Sequence, residues 1–272
     1  MFKILKSAQR PRRKGKLCEM LSFLPFYGGY VKPFGALVGM EEVLVSPGGE
    51  LFPDNIETEM LFLGREGTLE FHQEDSEPDR LVKNSCLISR PDSSEFIFSN
   101  SKEYGISRFI TLGFRPGEEA VPEGSPDRMS FNIKGNRTVL MNLASGSREE
   151  NSLQLSLDAV VSLARVGKGE KLIFETQPSR RIVMAVLDGS VAAERSRFNK
   201  NDSLIVMGEP EISLYAYEQA TVMIVDLPEY KSPFAEEQEA EEEAKRQAEK
   251  QAARQAYKPG PQPGVKTGAD RR

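Results

Sequence analysis

The chain has 272 residues and a formal net charge of −5, enough length for two cores of roughly 100 residues each and the wrong sign for a general polyanion-binding surface. Hydrophobic residues make up 39% and Trp is missing; because both ends are charge-rich, the middle has an ordinary globular composition. No apolar run approaches the roughly 18 residues of a membrane span, and the N-terminal stretch has neither the apolar length nor the small-residue site of a secretory signal. Cys18 and Cys86, distant from each other, suggest neither a disulfide framework nor a thiolate metal site, so a reducing cytoplasm is the expected compartment.

Residues 1–33 read as a basic arm and lead-in. Positions 1–16 hold seven basic side chains (Lys3, Lys6, Arg10, Arg12, Arg13, Lys14, Lys16) and no acidic one, which concentrates positive field on a mobile segment. The plain reading is a solvated tail. The functional one is an electrostatic contact with a protein face, RNA or anionic lipid, for which Arg10, Arg12, Arg13 and Lys14 are the candidate partner-binding residues. From Leu24 to Tyr30, aromatics among Gly and Pro predict an irregular segment closing over a barrel.

Residues 34–114 read as a first all-β unit. Leu37–Val45 predicts one or two strands and Ser46–Glu50 a turn. Met60, Phe62, Leu69 and Phe71 stand in period-two runs on either side of Gly67, the pattern of a half-buried hairpin. Short strands follow at Leu81-Val82, Cys86–Ile88, Phe96–Phe98 and Arg108–Phe114. Residues 115–136, rich in proline and acidic side chains, form the linker.

Residues 137–230 repeat the pattern. Strands are predicted at Thr138–Leu143, Ser156–Val166, Glu170–Glu175, Phe198–Val206, Ile212–Tyr217 and Thr221–Leu227, with a second hairpin about Gly189 in the position that Gly67 holds in the first half. Many short strands at roughly 8–12-residue spacing predict a closed or sandwiched β domain. Ser232-Pro233 is a helix start, and residues 231–257 predict a charged helix, Ala-, Glu-, Gln-, Lys- and Arg-rich from Phe234 to Tyr257, with no apolar stripe. It is either solvated or a partner-docking element. Residues 258–272 are disordered by composition.

In these motifs the chain resembles the pirin family, the bicupin group that includes bacterial quercetin dioxygenases. Gly35–Gly39 with Ser46–Glu50, Glu57–Gly67 and Ile110–Phe114 look like its N-terminal cupin; Gly167–Glu170, Leu187–Gly189, Asn201-Asp202 and Val225–Pro228 look like its C-terminal cupin. The resemblance spans about residues 34–228. It implies two jelly-roll β-barrels in tandem and, in family members, one Fe-like metal held by a His-x-His-x-x-x-Glu motif and a His-x-Glu motif of the first cupin. Here those motifs fall on Phe52–Thr58 and near Phe98–Glu103, and neither contains histidine. The one histidine, His72, lies just past the first hairpin and reads as a rim residue.

A redox iron site calls for two or three imidazoles beside a carboxylate, so the residues call for no metal and no cofactor. Asp54, Glu57, Glu59 and Glu103 are the set from which an oxygen-only site could be built; their plain reading is strand-end and loop carboxylates. A single histidine also removes most Ser-His and Cys-His schemes. Tyr215 and Tyr217, on one strand, read as barrel core or rim. The expectation is a metal-free, non-catalytic bicupin that binds a protein partner through the arm or the helix, as a scaffold or regulatory module. Two alternatives stand beside it: a quercetinase-like oxygenase with a divergent carboxylate site, and a small-molecule sensor holding an apolar ligand in its first barrel.

Overall fold

The computed structural model describes residues 2–27, 30–31, 34–53, 57–73, 78–91, 96–117, 121, 127–133, 135–147, 151–194 and 196–229. The predicted helix and the tail after it lie outside the described residues. Apart from a 3-10 turn at Ser7–Gln9 and a two-stranded ribbon of Phe26-Tyr27 with Tyr30-Val31, the described elements are strands arranged as two barrels, each made of a seven-stranded sheet facing a four-stranded one.

In the first barrel the large sheet runs in the order Arg128–Ser130, Ser85–Ser89, Glu59–Glu66, Ser107–Phe114, Leu37–Val45, Cys18–Ser22 and Arg12–Lys14; Asp79–Val82, Thr68–Gln73, Phe96–Ser99 and Glu50-Leu51 form the small one. In the second barrel Phe2–Leu5, Ser203–Met207, Arg181–Asp188, Ala220–Leu227, Val160–Val166, Val139–Ser145 and Leu153-Gln154 face Lys171–Glu175, Glu211–Ala216, Ser190–Ala193 and Ser196–Asn199.

Period-two alternation distributes each large-sheet strand between two cores. On Glu59–Glu66, Phe62 enters the first barrel with Phe71, Phe98 and Phe109, while Leu61 and Leu63 point outward. Those outward residues meet Val161, Leu163, Val183, Ala185, Met223 and Val225, so the two seven-stranded sheets pack against each other through the most extensive apolar cluster among the described residues. The second barrel encloses its own core around Phe198, Leu214 and Ile224.

Four expectations change. Gly67 and Gly189, at φ 75° and 73°, turn corners and not hairpins. The strand before each glycine belongs to the large sheet and the strand after it to the small one. Alternation plus a positive-φ glycine reads the same in either case, because a corner that switches sheets needs the same local turn.

The basic segment is folded, not a mobile arm: Phe2–Leu5 pairs antiparallel with Ser203–Met207 of the second barrel, and Arg12–Lys14 pairs with Cys18–Ser22 of the first. Phe2 and Ile4 cover the second barrel's core. Asp202, buried, fixes the crossing by accepting from Lys6 Nζ at 2.9 Å and the Ser7 amide at 2.7 Å.

The linker contributes structure too, since Arg128–Ser130 is the edge strand beside Ser85–Ser89. The predicted single strand Phe198–Val206 is two, in different sheets, broken at Asn201, whose φ is 70°.

Candidate functional site

The first barrel is hollow at one end, and the register explains why. Glu41, Thr111 and Phe62 stand side by side on three adjacent strands, as do Gly39, Gly113 and Met60. All six belong to inward-facing positions. Of the two neighbouring glycines, Gly39 leaves the wall bare, since a methyl group there would meet nothing within 4 Å, whereas one on Gly113 would crowd Met60 Sδ at 3.0 Å and Val38 Cγ2 at 3.1 Å.

The result is a cavity of about 370 Å³, with Met20, Val38, Leu51, Phe52, Pro53 and Met60 as apolar walls and Arg13, Glu41, Thr58 and Thr111 as polar ones. Such a cavity, mostly apolar with a few convergent polar groups, is the usual form of a small-molecule site.

Its electrostatics rest on one ion pair. Arg13 Nη2 donates to Glu41 Oε1 at 2.9 Å, reaching from the edge strand over the cavity rim. Burial pushes the Glu41 carboxyl above its ordinary value, and the Arg13 charge offsets only part of that. Thr58 Oγ1 is sealed from bulk solvent and has no hydrogen-bond partner among the described residues. A buried hydroxyl left unpaired costs free energy that a ligand group can recover.

The four candidate carboxylates do not converge. Glu59 is fully buried on the outward face of its strand, where its carboxylate accepts from the Ser156 amide at 3.0 Å and from Ser156 Oγ at 2.9 Å in the second barrel. It is a tie between barrels, its pKa raised by burial despite those bonds. Glu57 and Glu103 are exposed, and Asp54 lies outside the described residues. His72 stands on the opposite face of its strand from the core residue Phe71, outside the barrel. Among the described residues no three His, Cys, Asp or Glu side chains are placed to hold a metal. Cys86, buried and pushed up to about 12 by desolvation, is no thiolate donor.

The basic candidates divide. Arg10 is interior: its guanidinium lies 3.9 Å from the Phe23 ring centroid, Nε donates to the Ser22 carbonyl at 3.1 Å, and Nη1 pairs with Glu42. Arg13 belongs to the cavity. Arg12, paired with Glu19 at 3.0 Å, and Lys14 stay exposed. Sequence reasoning passed over Glu41 and Glu42, yet two adjacent charges inside the apolar run Leu37–Val45 break the local pattern, and such breaks concentrate where function or a buried ion pair needs them. Tyr215 and Tyr217 are on the surface, not in the core, 43% and 48% exposed.

Residues 142–227 match the quercetinase C-terminal cupin domain. The chain has the fold of a pirin-type bicupin. A bacterial pirin, YhhW from Escherichia coli in complex with nickel(II), superposes with a TM-score of 0.72 at 18% identity, covering 84% of this chain and 99% of that one. Quercetin 2,3-dioxygenase from Acinetobacter baumannii gives 0.64 at 11% identity over 85% and 80%. Vicilin from tomato, Solanum lycopersicum, gives 0.60 at 11% over 84% and 85%. Among curated proteins no sequence relative matches the chain.

The resemblance to pirins, one of which holds nickel(II), implies a metal in the first cupin. The described donors here do not fit one: the cavity presents a single carboxylate, already paired with Arg13, beside two hydroxyls. No imidazole reaches it, and an Fe or Ni site favours imidazole.

Proposed function

We propose that this chain is a metal-free, non-catalytic pirin-like bicupin whose first barrel binds a small, mainly apolar molecule carrying one hydrogen-bonding group, and that it serves as a regulatory module. The observation that carries the reading is the cavity beside Gly39 and Gly113, where a catalytic cupin would need a cluster of imidazoles and this chain has an Arg13–Glu41 pair and the unpartnered Thr58 hydroxyl. The apolar walls supply affinity and the polar groups orientation.

The test uses a neutral fluorophore, N-phenyl-1-naphthylamine, titrated into the full-length protein. One site per chain is expected, and Gly39→Leu, which grows into open space, should weaken binding tenfold or more with the melting temperature unchanged. Binding that survives Gly39→Leu, or no binding at all, would overturn the reading. Metal analysis and oxygen uptake on quercetin address the oxygenase alternative. A stoichiometric iron, nickel, copper or manganese together with turnover would put that alternative in its place.

Protein binding is favoured by a second surface. On the outer face of the second barrel's small sheet, Ile173, Tyr215 and Tyr217 are exposed, the two tyrosines meet edge to face at 5.3 Å, and Arg197 lies 5.0 Å from the Tyr217 ring centroid. Exposed Tyr and Arg side by side are the residue types that dominate interface energetics. The exposed Arg12 and Lys14 would add a salt-dependent contribution to a partner on the other barrel.

A further inference from the structure

A second cavity, of about 270 Å³, opens between the barrels and has no part in the reading above. Leu63, Phe131, Ile133 and Leu163 give it apolar walls. Its polar lining is charged mostly one way: Arg65 and Lys83 come from the first barrel, Arg165 and the single acid Asp188 from the second.

Arg10, Arg12, Arg13, Arg80, Arg90, Arg108, Arg128 and Arg180 each pair with a carboxylate. Among the described residues Arg65, Lys83 and Arg165 pair with none. Arg65 Nη2 donates to the Leu187 carbonyl at 2.9 Å, and Arg165 donates to the Ile133 carbonyl and Gln219 Oε1, both at 2.7 Å. All three acceptors are neutral. Asp188, the one acid of the lining, pairs with Lys200 at 3.3 Å and acts on Arg65 only through space.

A guanidinium carries five N–H donors. Arg65 lines the cleft, and its hydrogen bond to the Leu187 carbonyl leaves further donors on its guanidinium. Desolvation penalises the Arg65 charge more than Glu42, Asp188 and Glu66 together offset it, and a cation removed from water without full compensation is costly. An anion seated in the cleft would supply that counter-charge through charge-assisted and bidentate hydrogen bonds.

We infer that the inter-barrel cleft is a binding site for a small organic anion, an oxyanion head of the carboxylate or phosphate type held by Arg65, Lys83 and Arg165, with a compact apolar body against Leu63, Phe131 and Leu163. The fold makes such a site natural, because Arg65 and Asp188 sit just before the two corner glycines and the packing of the large sheets brings these corners together. Occupancy would bridge the two barrels.

The experiment is calorimetric titration of the full-length protein with phenyl phosphate, benzoate and inorganic phosphate at low ionic strength. One site per chain is expected for phenyl phosphate or benzoate, the preferred head group identifying the ligand class, with affinity falling as salt is added. Inorganic phosphate, lacking the apolar body, should bind more weakly.

Lys83→Gln, at an exposed position, and Arg165→Gln should each weaken binding about tenfold, a loss of about 1.4 kcal/mol, and Asp188→Asn should strengthen it severalfold. The neutral naphthylamine should bind the first barrel equally well in all three variants, which separates failure of this site from failure of the other. No binding of any probe at about 10 mM, or binding indifferent to Lys83→Gln and Asp188→Asn, would overturn the assignment.

Discussion

The two barrels are built on the same strand plan and differ at one structurally matched position. Met60 and Ile182 each stand seven residues before a corner glycine, and each pairs with the next strand at a residue pointing into its barrel. That residue is Gly113 in the first barrel and Asp226 in the second. Asp226 fills its space: it pairs with Arg180 Nε at 2.5 Å and accepts from Thr176 Oγ1 at 3.0 Å, and Arg180 goes on to Asp158 at 2.8 Å. Gly113 adds no side chain: Met60 Sδ and Val38 Cγ2 close on its position, and the open space lies beside its partner Gly39, where a methyl group would meet nothing within 4 Å. The first barrel therefore keeps about 370 Å³ at that end, whereas the cavity bounded by Met184, Phe198 and Leu214 in the second is about 10 Å³, no more than the threshold for one water. A barrel's interior is a default of its fold; whether it becomes a site is decided by which side chains occupy one end of a few strands.

The comparison is broken most forcefully from the filled side. Arg180→Ala leaves the Asp226 carboxylate buried without its cation, a change that costs about 3 kcal/mol or more. In a chain of this size that lowers the melting temperature by roughly 6–12 °C, readable by calorimetry. Gly39→Leu, its counterpart in the hollow barrel, should cost less than about 1 kcal/mol because its new atoms enter vacant space. If the two variants melt alike, the mouths of the barrels do not differ in the way the packing indicates.

Much of this architecture was legible in the chain, and the misses have physical causes. Alternation on Ile212–Tyr217 separates two faces, Ile212, Leu214 and Ala216 being the buried one and Tyr215 and Tyr217, read as core or rim, the exposed one, and the matched glycine turns expose the internal repeat. Alternation states which residues share a face but not which sheet a strand joins, so Gly67 and Gly189 read as hairpins. Charge density made residues 3–16 look solvated, although Lys3, Lys6 and Arg10 are interleaved with Phe2, Ile4 and Leu5, residues that cap the second barrel or extend its sheet. The site was hardest to read, because it is made by absence: a glycine matters only once register places it beside the others. Glu59, a strand-end carboxylate by its plain reading and a ligand only in the alternative one, is a tie between barrels because its partner, Ser156, lies 97 positions along the chain.

A smaller effect sharpens the hollow side. The Glu41 pKa is raised by burial, so folding favours its protonated form. Its contribution is complete below the ordinary carboxyl value of 4.5 and is lost as pH rises through the higher folded value. Glu59 carries the same sign. Urea unfolding of Glu41→Gln between about pH 4 and 7 should show a stability profile that falls less with rising pH than that of the unaltered protein. A steeper fall would mean that Arg13 overcompensates burial and that the rim is more solvated than the geometry indicates.

The smallest effect is expected at the outer edge of the same barrel. Arg12 pairs with Glu19 at 3.0 Å, but its side chain is 64% exposed, and exposed pairs of this kind contribute little after screening and side-chain entropy. Arg12→Ala should therefore shift stability by less than about 0.5 kcal/mol, measured as a change in the urea midpoint at constant slope. It should leave naphthylamine binding untouched, since Arg13 and not Arg12 reaches the cavity. A loss above about 1 kcal/mol would show that the edge strand Arg12–Lys14 depends on that pair for its place. Binding would then fall with it, because Arg13 could no longer be held over the cavity rim.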